Sequence, residues 1–136
     1  MSMRFFYGSH ALFSLHYHLV LVTKYRHPCI VPEMAKRIDE LMRVVCSNSR
    51  CELLEANGGY DHRHFLLAMH PAIAPAKLVN ALKTNSSRVL RKEFSRELKP
   101  YYWTPVFWSR SYCLVSAGGA PLSIIADYIK NQRGEA

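Results

Sequence analysis

The chain alternates between segments with a two-residue apolar period and segments with a helical period. Residues 15–25 alternate between two largely apolar faces, a pattern typical of a central strand that is covered on both sides. Two longer segments repeat apolar positions every three or four residues, as amphipathic helices do. Pro32 opens the first of these helices, which runs to about Asn48. The second follows the Pro71–Pro75 segment and runs to about Leu98.

Shorter segments complete the pattern, with strands predicted at 51–56, from His62 to Met69 and at 109–116. The order strand, helix, strand, strand, helix, strand is that of the ferredoxin-like or RRM-like split βαβ fold. It predicts an α+β protein with a four-stranded antiparallel sheet and two helices on one face. The first strand and the histidine-bearing strand are expected at the centre of the sheet.

The 136 residues are expected to form one domain, with a core at about 15–117. Gly118-Gly119 is predicted to be a flexible joint before a C-terminal helix at about 121–133. Four cysteines lack metal-type spacing, and we interpret them as reduced, in a cytoplasmic protein. No apolar run reaches the roughly 18 residues that a membrane span needs, so no membrane partner is expected.

The formal net charge of +8 fits a polyanionic partner, although a merely soluble basic protein would also carry it. The cluster Lys24, Tyr25 and Arg26 follows the first strand and could contact phosphate and stack on bases, or be a solvated strand end. One side of the second helix is strongly basic, which favours a nucleic-acid surface over a solvated face. Its basic residues are Lys77, Arg88, Arg91, Lys92 and Lys99.

A histidine pair stands at the start of the third strand, after the turn Asn57-Gly58-Gly59. His62 and His64 are two residues apart, so on a strand their side chains share a face and can form half of a metal site. Asp61 could orient one of the rings. The alternative is a pair of ordinary hydrogen-bonded strand histidines. In the similar pair His16 and His18, we expect His18 to be buried and hydrogen-bonded.

The predicted C-terminal helix places Tyr128 and Gln132 four residues apart, and therefore on one face. The phenolic oxygen and the amide oxygen could both point toward whatever the helix covers. The spacing by itself also fits a surface tyrosine and glutamine on an amphipathic helix.

These motifs, in their order and over about residues 15 to 133, make the sequence resemble the single-tyrosine HUH transposases of the simplest bacterial insertion sequences. The matching segments are Tyr17-His18-Leu19-Val20, Thr23-Lys24-Tyr25-Arg26, Asp61-His62-Arg63-His64-Phe65-Leu66, Trp108-Ser109-Arg110-Ser111-Tyr112 before Gly118-Gly119, and Tyr128-Ile129-Lys130-Asn131-Gln132.

The resemblance implies that His62, His64 and Gln132 hold a divalent cation and that Tyr128 is the nucleophile. Two imidazoles and an amide oxygen suit Mg²⁺ or Mn²⁺. The resemblance further implies a homodimer that cleaves and rejoins single-stranded DNA with hairpins at the element ends, through a 5′-phosphotyrosine intermediate. It also implies a C-terminal helix that can reach the partner's histidines across the Gly118-Gly119 joint.

One residue departs from the family pattern, which has a hydrophobic side chain between the histidines. Arg63 stands there and must face the helices, so we expect it to reach solvent or a carboxylate at the end of the sheet. The departure keeps open a decayed or domesticated, non-catalytic DNA- or RNA-binding module on the same fold. A zinc hydrolase is a weaker alternative, because its only nearby extra ligand, His70, lies too far along the strand.

Overall fold

The computed structural model describes the backbone of residues 6–7, 12–13, 15–118 and 122–131. Its strands are β1 (Phe6–Tyr7), β2 (Leu12–Phe13), β3 (His16–Thr23), β4 (Cys51–Gly58), β5 (His62–Met69) and β6 (Trp108–Ser116). Its helices are α1 (Pro32–Asn48), α2 (Pro75–Glu93), α3 (Ser95–Leu98) and α4 (Leu122–Asn131). A short 3₁₀ turn at Lys24–Arg26 follows β3.

The main sheet has four strands in the order β4-β5-β3-β6, and every neighbouring pair is antiparallel. The ferredoxin-like order and the central position of β3 and β5 are therefore confirmed. β1 and β2 form a separate two-stranded sheet that the sequence pattern did not predict. Each of these strands has only two residues, too few to show an alternating pattern.

Both faces of the sheet are covered, because β3 is apolar on both sides. On one face, Leu19 and Leu21 pack in the large core with the apolar stripes of α1 and α2. On the other face, Val20 and Val22 pack against Ile125 of α4. The two-faced burial predicted for this strand is confirmed, and the second face is the one that α4 covers.

The helix predicted to run to Leu98 is interrupted. α2 ends at Glu93, and Phe94 has φ −116° and ψ 33°, which lies outside the helical region. The four-residue α3 then restarts and buries Leu98 in the same core. The apolar spacing therefore indicated the buried face correctly, while the break itself leaves no signature in that spacing.

The turn between β4 and β5 depends on Gly58. A Cβ there would collide with the carbonyl oxygen of His62 and approach the Cα of Arg63 to 2.8 Å. Only glycine permits this close approach of two backbones, which pairs Gly58 with Arg63 at the mouth of the hairpin. The turn spans residues 59–61 and is longer than two residues, as predicted.

Arg63 lies on the helix face and finds a carboxylate there. One guanidinium nitrogen lies 2.6 Å from Oδ2 of Asp39 on α1, and Arg63 is only 7% exposed. The expectation that Arg63 reaches a carboxylate is confirmed. Nε of Arg63 and Oδ1 of Asp39 are buried without a hydrogen-bond partner among the described residues.

The ion pair with Arg63 does not fully offset the cost of burying the Asp39 carboxylate. Burial raises the pKa of the Asp39 carboxyl above its ordinary value, against the opposing effect of the Arg63 charge. Because the folded-state pKa is raised, ionisation of Asp39 costs stability as the pH rises through that value. The attraction between Arg63 and Asp39 offsets part of the desolvation cost of the two charges, so the pair adds little net stability.

We predict that Arg63→Val destabilises the protein by about 1–3 kcal/mol at neutral pH, because it leaves the half-buried Asp39 carboxylate without its hydrogen-bond partner. The loss should shrink at acidic pH, where the carboxyl is protonated. Urea unfolding at both pH values measures the difference.

The double variant Arg63→Val with Asp39→Leu is the matched comparison and should recover the wild-type stability or exceed it. Breaking the exposed pair of Arg37 and Glu93 should change the unfolding curve little. An Arg63→Val variant as stable as the wild type, together with a double variant that is no more stable than the single one, would contradict this account.

Candidate active site

The histidine pair lies on the sheet face covered by α4. In the antiparallel register of β3 and β5, His62 is opposite Val22 and His64 is opposite Val20. Val20 and Val22 belong to the cluster that contains Ile125 of α4. Both imidazoles therefore project from one face, as the alternation along β5 predicts.

Asp61 holds the ring of His62. Nδ1 of His62 lies 2.8 Å from Oδ1 of Asp61, so that bond directs the opposite ring nitrogen, Nε2, away from the carboxylate. The other carboxylate oxygen accepts a hydrogen bond of 2.9 Å from Nε of Arg26. The structure thus places Asp61 where the sequence suggested and adds Arg26 behind it.

Arg26 reaches Asp61 from an unusual turn. Tyr25 and Arg26 both have φ of 58°, in the left-handed region that non-glycine residues rarely adopt. The side chain of Thr23 donates to the carbonyl of His27 at 2.7 Å, and its backbone amide donates to the carbonyl of Asp61 at 3.0 Å. The first bond spans the turn and the second attaches its start to Asp61, so both stabilise the strained backbone.

A third histidine contacts the pair. Nδ1 of His18 lies 2.8 Å from Nε2 of His64, and the ring centroids are 5.0 Å apart. Burial is the largest effect on both rings and lowers both pKa values, so both imidazoles are neutral near pH 7. Neutral rings can share one hydrogen bond, with one nitrogen donating and the other accepting.

The sequence predicted that His18 is buried and hydrogen-bonded, and at 2% exposure it is. Its partner was missed, because the contact depends on the pairing register of two strands. Alternation alone places His18 with Val20 and Val22 on one face of β3. Only the register with β5 brings that face beside His64.

Tyr128 of α4 contacts β6. Its hydroxyl lies 3.0 Å from Oγ of Ser111, and the side chain is half-buried. Burial raises the pKa of Tyr128, while the Ser111 hydrogen bond and the Arg26 charge oppose that shift. Ser111 belongs to one of the segments that carry the family resemblance, but the sequence assigned it no contact or role.

Gln132 and Gly119 lie outside the described residues. Gly118 is exposed, and a Cβ built there would meet nothing within 4 Å, so packing does not require glycine at this position. The hinge predicted for Gly118 and Gly119 stays a prediction.

The described residues provide the imidazoles of His62 and His64 for a cation, and further protein ligands must come from elsewhere. Within 15–118 and 122–131, no group of three or more histidine, cysteine or acidic side chains is arranged to hold a metal ion. A two-histidine set suits a divalent cation only when other donors complete it. The amide of Gln132 is the remaining donor that the sequence predicted.

His70 does not approach this site. Its Nε2 lies 2.6 Å from a guanidinium nitrogen of Arg50, and its Nδ1 accepts a hydrogen bond from the amide of Ala72 at 3.0 Å. Both ring nitrogens are thus occupied at the far end of β5. The arrangement gives no support to the zinc hydrolase alternative.

The predicted basic surface on α2 is accessible. Arg88 and Lys92 are exposed, and Arg91 is half-buried with Nε donating to Ser87 Oγ at 3.2 Å. In the turn after β3, the ammonium of Lys24 lies 5.3 Å from the ring centroid of Tyr25, which is 52% exposed. Among the described helices, none combines the length and apolarity that crossing a membrane requires.

Comparison with known families decides the identity. The family described as "Transposase IS200 like" matches residues 11–132. The chain belongs to the IS200-like transposase family. The family match extends over the histidine pair, Tyr128 and Gln132 together.

Curated relatives agree with this membership. The transposase for insertion sequence element IS200 of Salmonella typhimurium is 32% identical over 127 residues, covering 93% of this chain and 82% of the relative. The ISDra2 transposase TnpA of Deinococcus radiodurans is 30% identical over 125 residues, covering 92% and 89%.

Solved structures show the same fold. A transposase candidate from Deinococcus radiodurans R1 superposes with a TM-score of 0.84 at 31% identity, over 96% of this chain and 98% of the other. The REP-associated tyrosine transposase bound to a REP hairpin gives a TM-score of 0.59, over 87% of this chain and 68% of the other. At 6% identity the second likeness concerns the fold alone.

Proposed function

We propose that this IS200-like transposase cleaves and rejoins single-stranded DNA at element ends, with Tyr128 as the nucleophile. The observation that carries the proposal is the position of Tyr128. Its hydroxyl is held by Ser111 on the sheet face from which His62 and His64 project. A nucleophile on the same sheet face as two histidine side chains is an arrangement that suits phosphodiester transfer.

The proposed reaction needs no energy source. The Tyr128 oxygen forms a bond to the scissile phosphorus, the bond from phosphorus to the 3′ oxygen breaks, and the leaving 3′ oxygen takes a proton. The product is a 5′-phosphotyrosine and a free 3′-hydroxyl. When another 3′-hydroxyl attacks the phosphotyrosine, the phosphodiester re-forms and the tyrosine is regenerated.

Burial works against the phenolate that this attack needs, because it raises the pKa of Tyr128. Two neighbours oppose burial: the hydrogen bond with Ser111 and the charge of Arg26. In the proposed mechanism Ser111 orients the phenolic oxygen, and Arg26 favours negative charge on it.

We propose that His62, His64 and Gln132 hold Mg²⁺ or Mn²⁺, and that Asp61 orients His62. A bound divalent cation would polarise the scissile phosphate and relieve its charge. The Asp61 bond to His62 Nδ1 and the burial that lowers the pKa of His64 support this assignment. The bond between His18 and His64 fixes the orientation of the second ring.

We propose that the DNA is single-stranded with hairpin-forming ends, bound through the α2 surface at Arg88, Arg91 and Lys92 and through the Lys24–Arg26 turn. The membership in the transposase family, together with the net charge of +8 on this chain, supports a nucleic-acid partner. We also propose a homodimer. Here α4 packs on the sheet of its own chain, and the glycines at 118 and 119 would allow exchange between protomers.

A decayed or domesticated, non-catalytic DNA- or RNA-binding module is the alternative function. It depended on Arg63, whose charge has a carboxylate partner in Asp39 and whose strand keeps both histidines on the α4 face. A non-catalytic binder would still retain the fold and bind DNA. Formation of a covalent adduct therefore decides between the two functions.

We predict that the wild-type protein, incubated with labelled single-stranded element ends and Mn²⁺, forms a covalent protein–DNA adduct that Tyr128→Phe abolishes. The variant lacks only the nucleophilic oxygen, so its affinity for the same DNA should stay within about twofold. Denaturing electrophoresis measures the adduct. Ser111→Ala should slow adduct formation without abolishing it. An adduct that persists in Tyr128→Phe would refute the assignment.

We predict that replacing both His62 and His64 with Ala abolishes cleavage and Mn²⁺ binding while DNA affinity stays largely intact, since phosphate contacts elsewhere dominate binding. Asp61→Ala should weaken Mn²⁺ binding roughly 10- to 100-fold, as loss of a supporting hydrogen bond does. Titration calorimetry with Mn²⁺ measures both. Undiminished cleavage in excess chelator would show that the reaction needs no divalent cation.

We predict that Arg88→Gln with Lys92→Gln lowers the slope of log affinity against log salt by roughly 1.4, about 0.7 for each lost single-strand phosphate contact. The matched control is Lys36→Gln with Arg43→Gln, which removes two exposed charges from α1. Fluorescence anisotropy over a salt series measures the slopes. Equal slopes for the two double variants would exclude α2 as the DNA surface.

A further inference from the structure

The loop between α3 and β6 exposes a tryptophan. Trp103 is 95% exposed, more than any other large apolar side chain among the described residues. Large aromatic side chains dominate interface energetics, so a fully exposed indole is a candidate contact for a partner. The proposed chemistry at Tyr128 makes no use of it.

The loop that carries Trp103 is anchored on both sides. The hydroxyl of Tyr102 donates to the carbonyl of Lys24 at 2.7 Å, and the backbone amide of Tyr102 donates to the carbonyl of Leu98 at 3.0 Å. On the other side Phe107 is 1% exposed and packs edge-to-face on Trp108. The indole is therefore presented by a fixed segment.

A cleft of about 250 Å³ opens beside the indole. Its lining includes Trp103, Pro105 and Val106 of the loop, together with Arg91 near the end of α2 and Lys99 just after α3. The bond from Arg91 Nε to Ser87 holds the guanidinium along the helix. An aromatic face with two cations beside it fits a base with its phosphate, and the volume suits one nucleotide better than a duplex.

We propose that this cleft binds one unpaired nucleotide of single-stranded DNA, with the base stacked on Trp103 and the phosphate near Arg91 and Lys99. The inference rests on the proposed function, which supplies single-stranded DNA as the partner. Charge complementarity favours DNA over a second copy of the chain. A symmetric contact through this surface would bring Arg91 and Lys99 of both copies together.

The two tryptophans make the proposal measurable. Trp108 is 7% exposed, and its indole nitrogen donates to Ser86 Oγ at 2.9 Å, so acrylamide should quench it weakly. Quenching of the full chain then reports mainly on Trp103. The probe is an oligothymidylate of about 12 nucleotides, within the span that single-strand-binding grooves cover. The same strand annealed to oligoadenylate is the comparison.

We expect saturating oligothymidylate to protect Trp103 from acrylamide, and the duplex to protect it much less because its base faces are hidden. Trp103→Ala should weaken oligothymidylate binding roughly 5- to 150-fold, the range for loss of one base–aromatic stack. Trp103→Phe should lose less, because it keeps a stacking face. Val44→Ala, at a 59% exposed apolar site on α1, should bind as the wild type does.

Two results would overturn the proposal. One is a saturated complex in which Trp103 stays as open to acrylamide as in the free protein. The other is protection that rises with protein concentration in the absence of DNA, which would assign the surface to a second copy. If the wild-type protein forms no covalent adduct while oligothymidylate still protects Trp103, the proposed function is refuted and this site stands.

Discussion

The antiparallel register between β3 and β5 determines which side chains can meet at the candidate site. It sets Val20 opposite His64 and Val22 opposite His62, and it brings His18 within hydrogen-bond distance of His64. A shift of one residue in that register would turn the histidines toward the helices. The register is well specified because both faces of β3 are apolar and buried on different partners.

The same alternation that exposes the histidines to α4 commits Arg63 to the opposite side. Asp39 forms an ion pair with Arg63, but burial still raises the pKa of that carboxyl. The pair therefore offsets only part of the cost of burying the two charges. A hydrophobic residue between the histidines would avoid this cost, and nothing in the structure explains why arginine stands there. Its effect remains on the helix side of the sheet, because the histidine rings bond to Asp61 and His18 on the other side.

The fold followed from the sequence because apolar periodicity and turn residues act locally. The alternation in β3, the stripe of α1 and the glycine turn before β5 were each readable over about ten residues. The interruption at Phe94 was not readable in this way, because the segments before and after the break bury apolar side chains in the same core. At the site, the face shared by His62 and His64 is equally local. The contacts of His18 with His64, of Ser111 with Tyr128 and of Arg63 with Asp39 join segments far apart in the chain, so they required the tertiary structure.

The Lys24–Arg26 turn connects the proposed DNA surfaces to the site through its backbone. The amide of Lys24 donates to the carbonyl of Phe107, and its carbonyl accepts the hydroxyl of Tyr102, so the aromatic loop is attached to the turn at two points. Arg26 at the end of the turn bonds to Asp61, which holds His62. A substitution at Arg26 would therefore disturb the orientation of His62 as well as any phosphate contact, and its effect could not be assigned to DNA binding alone. Lys24 is the more selective position for that purpose, because its bonds to the loop use main-chain atoms that any side chain retains.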